Sequence, residues 1–244
     1  MSDTLKIHSF QSLGTVDGPG VRAVVFLQGC PLRCICCHNP DTWDFSAGND
    51  IQITDLMEKI RRCRPYWGKD GGVTVSGGEP LLQIEFVTEL FRLLKENGVH
   101  TCVDTSGITF RANDSECVNK HEELLKYTDL VLLDIKHIDD EAHKTLTKQS
   151  NQNTLAFARF LSERGKRIWI RHVLVPTLTD DDEALKRLRG FIDTLDTVEK
   201  VEVLPYHTMG EVKYQKLGYD YPLKGVEPPT KERVENAKRI LTGK

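Results

Sequence analysis

Along most of this chain, short β-branched runs alternate with stretches of helical periodicity, and that alternation limits the fold more than any other feature. Runs at residues 21–28, 72–75, 100–104, 130–135, 167–175 and 200–204 have the length and composition of strands. Between them, residues 84–97 place Val87, Leu90, Phe91 and Leu94 on one face and stop at Gly98. Residues 181–195 align Leu185, Leu188, Ile192 and Leu195. Thr54 is expected to cap a helix over 55–62, and a last helix is expected after Pro228 and Pro229, running to Leu241. Strand–helix alternation of this kind builds a parallel sheet. Six such units are too few for a closed eight-stranded barrel, so an open doubly wound sheet and an incomplete barrel both fit.

In either architecture ligands bind at the carboxyl ends of the strands. The residues with chemistry follow that rule. A cysteine-rich loop follows the first run, and Ser76-Gly77-Gly78-Glu79 follows the second. Asp104 and Thr105 end the third, while Asp134, Ile135 and Lys136 end the fourth. Arg171 lies on the fifth, and His207 follows the sixth.

With 33 Lys and Arg against 36 Asp and Glu, the net charge is −3, a balance unsuited to neutralising phosphates. No nucleic-acid partner is expected. The first residues, MSDTLKIHSFQSLGT, contain no apolar core of a secretory signal, and no apolar run could cross a bilayer. A cytoplasmic protein is expected, folded as a single domain over residues 1–244. Four of its seven cysteines fall between positions 30 and 37, a clustering that in a reducing compartment favours metal over disulfides. Cys102, in an apolar stretch, reads as a small buried hydrophobe, and Cys63 and Cys117 lie in helical patterns.

The loop reads Gly29-Cys30-Pro31-Leu32-Arg33-Cys34-Ile35-Cys36-Cys37-His38-Asn39. Thiolates at Cys30, Cys34 and Cys37 can wrap one face of an iron–sulfur cubane and leave its fourth iron without a protein ligand. Open coordination is what catalytic metal chemistry needs. The plainer alternative is a zinc knot using His38, but His38 directly follows Cys37, and adjacent residues rarely reach one tetrahedral ion together. A vicinal dithiol at Cys36-Cys37 is the other alternative.

The Cys-x3-Cys-x2-Cys spacing resembles the radical S-adenosylmethionine (SAM) signature. Ile7-His8-Ser9-Phe10, Thr15-Val16-Asp17-Gly18-Pro19-Gly20-Val21-Arg22, His38-Asn39-Pro40-Asp41-Thr42-Trp43, Ser76-Gly77-Gly78-Glu79-Pro80 and Leu204-Pro205-Tyr206-His207 extend the resemblance to the glycyl-radical activating enzymes over nearly the whole chain. The resemblance implies a partial (β/α)6 TIM-like barrel, open on one side, holding a [4Fe-4S] cluster on Cys30, Cys34 and Cys37, with SAM on the unique iron. It implies hydrogen-atom abstraction from one glycine of a partner enzyme, pyruvate formate-lyase in the best-matching branch, with flavodoxin or a similar reductant. A monomer is expected. Activation of a different glycyl-radical enzyme, or small-molecule chemistry of deazaguanine-synthase type, is the alternative.

Carried over by motif, Gly77 and Gly78 let backbone approach the methionine moiety and Glu79 accepts from its ammonium. Asp104, Thr105 and Asp134 match a site for a monovalent cation, K+ or Na+, beside the SAM carboxylate; either aspartate could instead cap the following helix. Lys136 and His207 match SAM contacts, and Cys36, His38 and Ile135 flank the same site. Arg171 matches an arginine near the substrate glycine, with a structural ion pair as its alternative. Asp17 matches a residue near the bound peptide, where sequence alone reads a turn aspartate. One departure stands out: the position before the third cysteine is usually aromatic in the family, and Cys36 offers no aromatic face to adenine.

Overall fold

The computed structural model describes residues 4–243. Its contacts divide the chain into two compact units. The first comprises Met1–Pro31, Thr42–Thr105 and Thr109–Leu132, and the second Leu32–Asp41, Ser106–Ile108 and Leu133–Lys244.

The strands are β1 (Thr4–Gly14), β2 (Arg22–Leu27), β3 (Asn49–Gln52), β4 (Gly72–Gly77), β5 (His100–Thr105), β6 (Leu130–Asp134), β7 (Ile168–Leu174) and β8 (Val198–Pro205). They form one eight-stranded sheet in the order β3-β1-β2-β4-β5-β6-β7-β8, open because it begins at β3 and ends at β8. The pairs β2–β4, β4–β5 and β7–β8 are parallel, whereas β1 runs antiparallel to both β2 and β3. The six expected strands are β2 and β4 to β8. Ala23, Val24 and Val25, Val73 and Val75, Cys102 and Val103, and Leu130 to Leu133 are all buried, the continuous apolar signature of strands covered on both faces.

Sequence periodicity did not reveal β1 and β3. Leu5 and Ile7 are buried, but the register slips between Ile7 and Ser9 and again between Gln11 and Gly14, which breaks the alternation. In β3 only Ile51 turns inward.

In the first unit the helices are α1 (Ile53–Cys63), α2 (Ile84–Glu96) and α3 (Ser115–Lys126). Thr54 does not cap α1, because β3 runs straight into the helix at Ile53 and Gln52 holds the cap position without a side-chain bond. In α2 the stripe Val87, Leu90, Phe91 and Leu94 is buried as expected. Gly98, at φ 66°, then lets its N–H reach Lys95 O and that of Val99 reach Leu94 O, both at 3.0 Å.

The second unit contains α4 (Asp140–Thr147), α5 (Gln152–Glu163), α6 (Asp182–Ile192), α7 (Glu211–Leu217) and α8 (Lys231–Thr242). Asp181 caps α6 by accepting from Ala184 N, and Thr230 caps α8 by accepting from Arg233 N.

Candidate functional site

In the first unit, β2 delivers the chain to Gly29 and the buried Cys30. The loop after β4 lies directly on this segment: Gly78 N donates to Leu27 O at 3.0 Å and Glu79 N to Gly29 O at 2.8 Å. A Cβ on Gly78 would stand 2.1 Å from Gly29 O, so only glycine permits the approach. The acidic groups have local partners. Ser76 Oγ donates to Asp104 Oδ2 at 2.8 Å, and Thr105 Oγ1 donates to Glu79 Oε1 at 2.5 Å. Glu79, 1% exposed, also accepts from Leu81 N and so caps the 3-10 turn Pro80–Gln83. Asp17 sits half-exposed in the turn between β1 and β2, its carbonyl accepting from Thr74 Oγ1 at 2.6 Å.

In the second unit the rest of the cysteine loop is pinned by its backbone. Arg33 N and Ile35 N donate to Thr147 O and Leu146 O, both at 2.9 Å, filling carbonyls that the end of α4 leaves open. Cys37 N closes a turn onto Cys34 O at 3.0 Å. From the α7 side, Tyr214 OH donates to Cys34 O at 3.4 Å. Lys213 Nζ donates to Asn39 Oδ1 at 2.7 Å and pairs with Asp41 at 3.0 Å. Burial pushes the Cys36 thiol up, although the Lys136 charge opposes this.

Asp134 and Lys136 form an ion pair at 2.6 Å. Burial is the largest single influence and works against both charges, but the surrounding charges and hydrogen bonds together overcome it. Lys136 keeps Asp134 below the usual carboxylate range, and Asp134, with Cys34 and Cys36, raises Lys136. Neither Asp104 nor Asp134 is a helix cap: α3 is capped by Asp114, and Asp139 stands at the cap of α4. Ile135 N donates to Arg171 O at 3.0 Å. Arg171 Nε lies 3.4 Å from Glu202 Oε2, its register neighbour on β8. The ion-pair alternative for Arg171 is therefore present in the structure. Glu202 escaped the sequence reading, because strand register between β7 and β8 is invisible without the fold.

His38 and His207 stack with ring centroids 3.9 Å apart, 17° from parallel. Burial, and then the charge of His207, lowers His38 to about 4. His38 Nε2 and His207 Nδ1 are buried without hydrogen-bond partners, atoms that a polar ligand would satisfy. None of the seven cysteines is in a disulfide. Among the described residues no three His, Cys, Asp or Glu side chains already stand as a metal centre, so the fit to a cluster rests on donor chemistry. Thiol donors suit that group: in the first unit Cys30 follows Gly29, whose carbonyl meets the glycine-only approach of Gly78, and in the second Cys34 and Cys37 stand on a loop pinned by its backbone.

A model of the Radical SAM superfamily matches residues 24–188. Among solved structures, a domain of a pyruvate-formate lyase-activating enzyme from Bacteroides vulgatus is 28% identical with a TM-score of 0.57, covering 71% of this chain and 94% of that one. SuiB from Streptococcus suis, bound to precursor peptide SuiA, shares the fold with a TM-score of 0.66 at 17% identity, over 90% of this chain and 46% of its own. The pyruvate formate-lyase-activating enzyme of Streptococcus mutans is 52% identical over 237 residues, 96% of this chain and 90% of that protein. Its counterpart in Staphylococcus aureus is 52% identical over 241 residues, 98% of this chain and 95% of that protein. The chain belongs to the radical SAM superfamily and, within it, to the pyruvate formate-lyase-activating enzymes. Membership implies a [4Fe-4S] cluster and SAM as cofactors. Among the described residues no helix is long and apolar enough to cross a membrane.

Proposed function

We propose that this chain activates pyruvate formate-lyase by installing a radical on one of its glycines. The observation that carries the reading is 52% identity to an enzyme of that name across 96% of the chain. When bound, the cluster and SAM supply a carbon radical able to take a hydrogen atom from a glycine Cα. The protein supplies position, charge and shielding.

In this reading Cys30, Cys34 and Cys37 hold the cluster, and Cys36 stays outside it. Gly77 and Gly78 present backbone to the methionine end of SAM, and Glu79 accepts from its ammonium. Asp104, Thr105 and Asp134 hold K+ or Na+ against the carboxylate. Lys136, oriented by Asp134, and the His38–His207 pair donate to SAM polar groups, with Ile135 lining the same place. Arg171, held by Glu202, and Asp17 face the partner's glycine segment. Flavodoxin or a similar donor provides the electron, and the protein works in the cytoplasm as a monomer in one radical SAM domain.

Reduced holoprotein incubated with SAM and pyruvate formate-lyase should yield a glycyl-radical EPR signal with one methionine released per radical. SAM cleavage without any radical on that partner would redirect the assignment to another glycyl-radical enzyme or to a small substrate.

A further inference from the structure

His172, on β7, takes no part in the reading above, yet it is a polar side chain only 2% exposed. Its ring lies between two backbone carbonyls. Nδ1 is 2.9 Å from Ile135 O, just past the end of β6, and Nε2 is 3.1 Å from Thr179 O, in the turn after β7. A neutral imidazole has one N–H and both neighbours only accept, so it can serve one of them. Burial pushes the pKa of His172 down, and His137 and Lys136 add to that against the pull of the two carbonyls, which favours the neutral ring. The proton is assigned to Nδ1, facing the nearer carbonyl.

The two carbonyls differ in what holds them. Thr179 is fixed without the ring: its Oγ1 accepts from Val175 N at 2.7 Å and donates to Val173 O at 2.6 Å, and its N donates to Val175 O at 3.0 Å. That turn is rigid enough to keep Thr177 at φ 66°, where a β-branched residue is an outlier. Ile135 instead leans on β7 with both of its backbone groups. Its N donates to Arg171 O at 3.0 Å, and its carbonyl faces His172 Nδ1. The same carbonyl belongs to the peptide that carries Lys136 N, so its direction sets how Lys136 leaves the strand end. Asp134 and Lys136, on either side of Ile135, form the 2.6 Å ion pair. Lys136 and Thr179 also line one cavity of about 10 Å³ with Cys34 and Cys36, which puts this corner of the fold beside the cysteine loop.

We propose that His172 is a positioning residue for SAM binding, holding the peptide between Ile135 and Lys136 through Nδ1 so that the ammonium of Lys136, paired with Asp134, meets the cofactor. The proposal rests on the reading that Lys136 donates to SAM. A lysine ammonium sits on a flexible four-carbon stem, so it is aimed only when the backbone it leaves and the partner it pairs with are both fixed. Asp134 supplies one of these constraints and His172 the other. An apolar side chain could fill the buried space at position 172, but it could not hold a carbonyl.

The test uses reconstituted holoenzyme carrying His172→Leu, His172→Asn, His172→Gln, Lys136→Met, or His172→Leu with Lys136→Met. Cluster iron is measured first, then SAM affinity by titration calorimetry. An asparagine amide nitrogen reaches the place of Nδ1 and a glutamine amide nitrogen that of Nε2, so each variant keeps one contact. His172→Leu should retain its iron and weaken SAM binding about tenfold, the scale of one lost buried hydrogen bond. His172→Asn should recover affinity to within about threefold of the unsubstituted enzyme, whereas His172→Gln, serving Thr179 alone, should not. On the Lys136→Met background His172→Leu should add less than about twofold, because both changes act through one ammonium. Normal SAM affinity in His172→Leu, equal affinity of the Asn and Gln variants, or full additivity with Lys136→Met would each overturn the proposal. Loss of cluster iron in the Asn and Leu variants alike would also overturn it, placing His172 in the packing of β7. Normal SAM affinity in Lys136→Met would overturn the reading of Lys136 itself, and this proposal with it.

Discussion

Cys36 and Cys37 are neighbours in sequence to which the proposed function gives different roles. Cys37 completes the Cys-x3-Cys-x2-Cys spacing and its N closes a turn onto Cys34 O, whereas Cys36 lies off that spacing. Replacing Cys30, Cys34 or Cys37 with Ala should therefore abolish the reconstituted cluster, while Cys36→Ala should keep its iron, as read by anaerobic iron and sulfide analysis. A Cys36 variant without iron beside an active Cys34 variant would reverse the assignment. Asp104 poses a different question, because Ser76 already hydrogen-bonds to it. If the carboxylate faces a cation, Asp104→Ala should weaken SAM binding by roughly 1–3 kcal/mol and blunt the response to added K+, while Ser76→Ala should leave that response in place. Titration calorimetry with and without K+ makes the comparison, and equal behaviour of the two variants would reduce Asp104 to a strand-end hydrogen bond.

Among the secondary elements, α2 carries the cleanest agreement between sequence and structure. Its stripe is buried, and it ends at Gly98 with both bonds of the motif that a left-handed residue allows. A Cβ on Gly98 would meet nothing within 4 Å, so the cost of Gly98→Ala is conformational alone. We expect a loss of about 1–2 kcal/mol in urea unfolding with SAM cleavage unaffected. Gly20→Ala should cost more, because it adds a collision with Gly71 N to the same backbone strain. A null effect at Gly98 would mean the helix end relaxes. The end of α4 shows why elements need their surroundings: its last carbonyls are filled by N–H groups from the cysteine loop, more than one hundred residues earlier in the chain.

For the molecule as a whole, buried imidazoles set an expectation for acid. Burial pushes His121, His137 and His143 below the usual histidine value, and His137 Nδ1 accepts from Asp139 N at 3.0 Å, a bond that protonation would break. Unfolded, each would titrate near pH 6.5, so on acidification the unfolded chain gains protons first. This stability is complete above about pH 6.5 and declines as pH falls below it. The melting temperature should drop between about pH 7 and pH 5 by about 2–4 °C for each kcal/mol lost, and His143→Gln should flatten the slope. A level profile would mean that these groups titrate alike in both states. The sequence by itself determined the six parallel-type strands, the helices α1, α2, α6 and α8, and the strand-end placement of candidate groups. Those follow from local periodicity, backbone demands at glycine and donor spacing, all written within a few residues. Only the tertiary structure decided that β1 and β3 extend the sheet, that Glu202 faces Arg171, that Lys213 and Tyr214 of α7 hold the cysteine loop, and that Arg22 is buried against Thr74. Each of these joins residues tens to nearly two hundred positions apart, and strand register and burial, which bring them together, are properties of the folded chain and not of any segment of it.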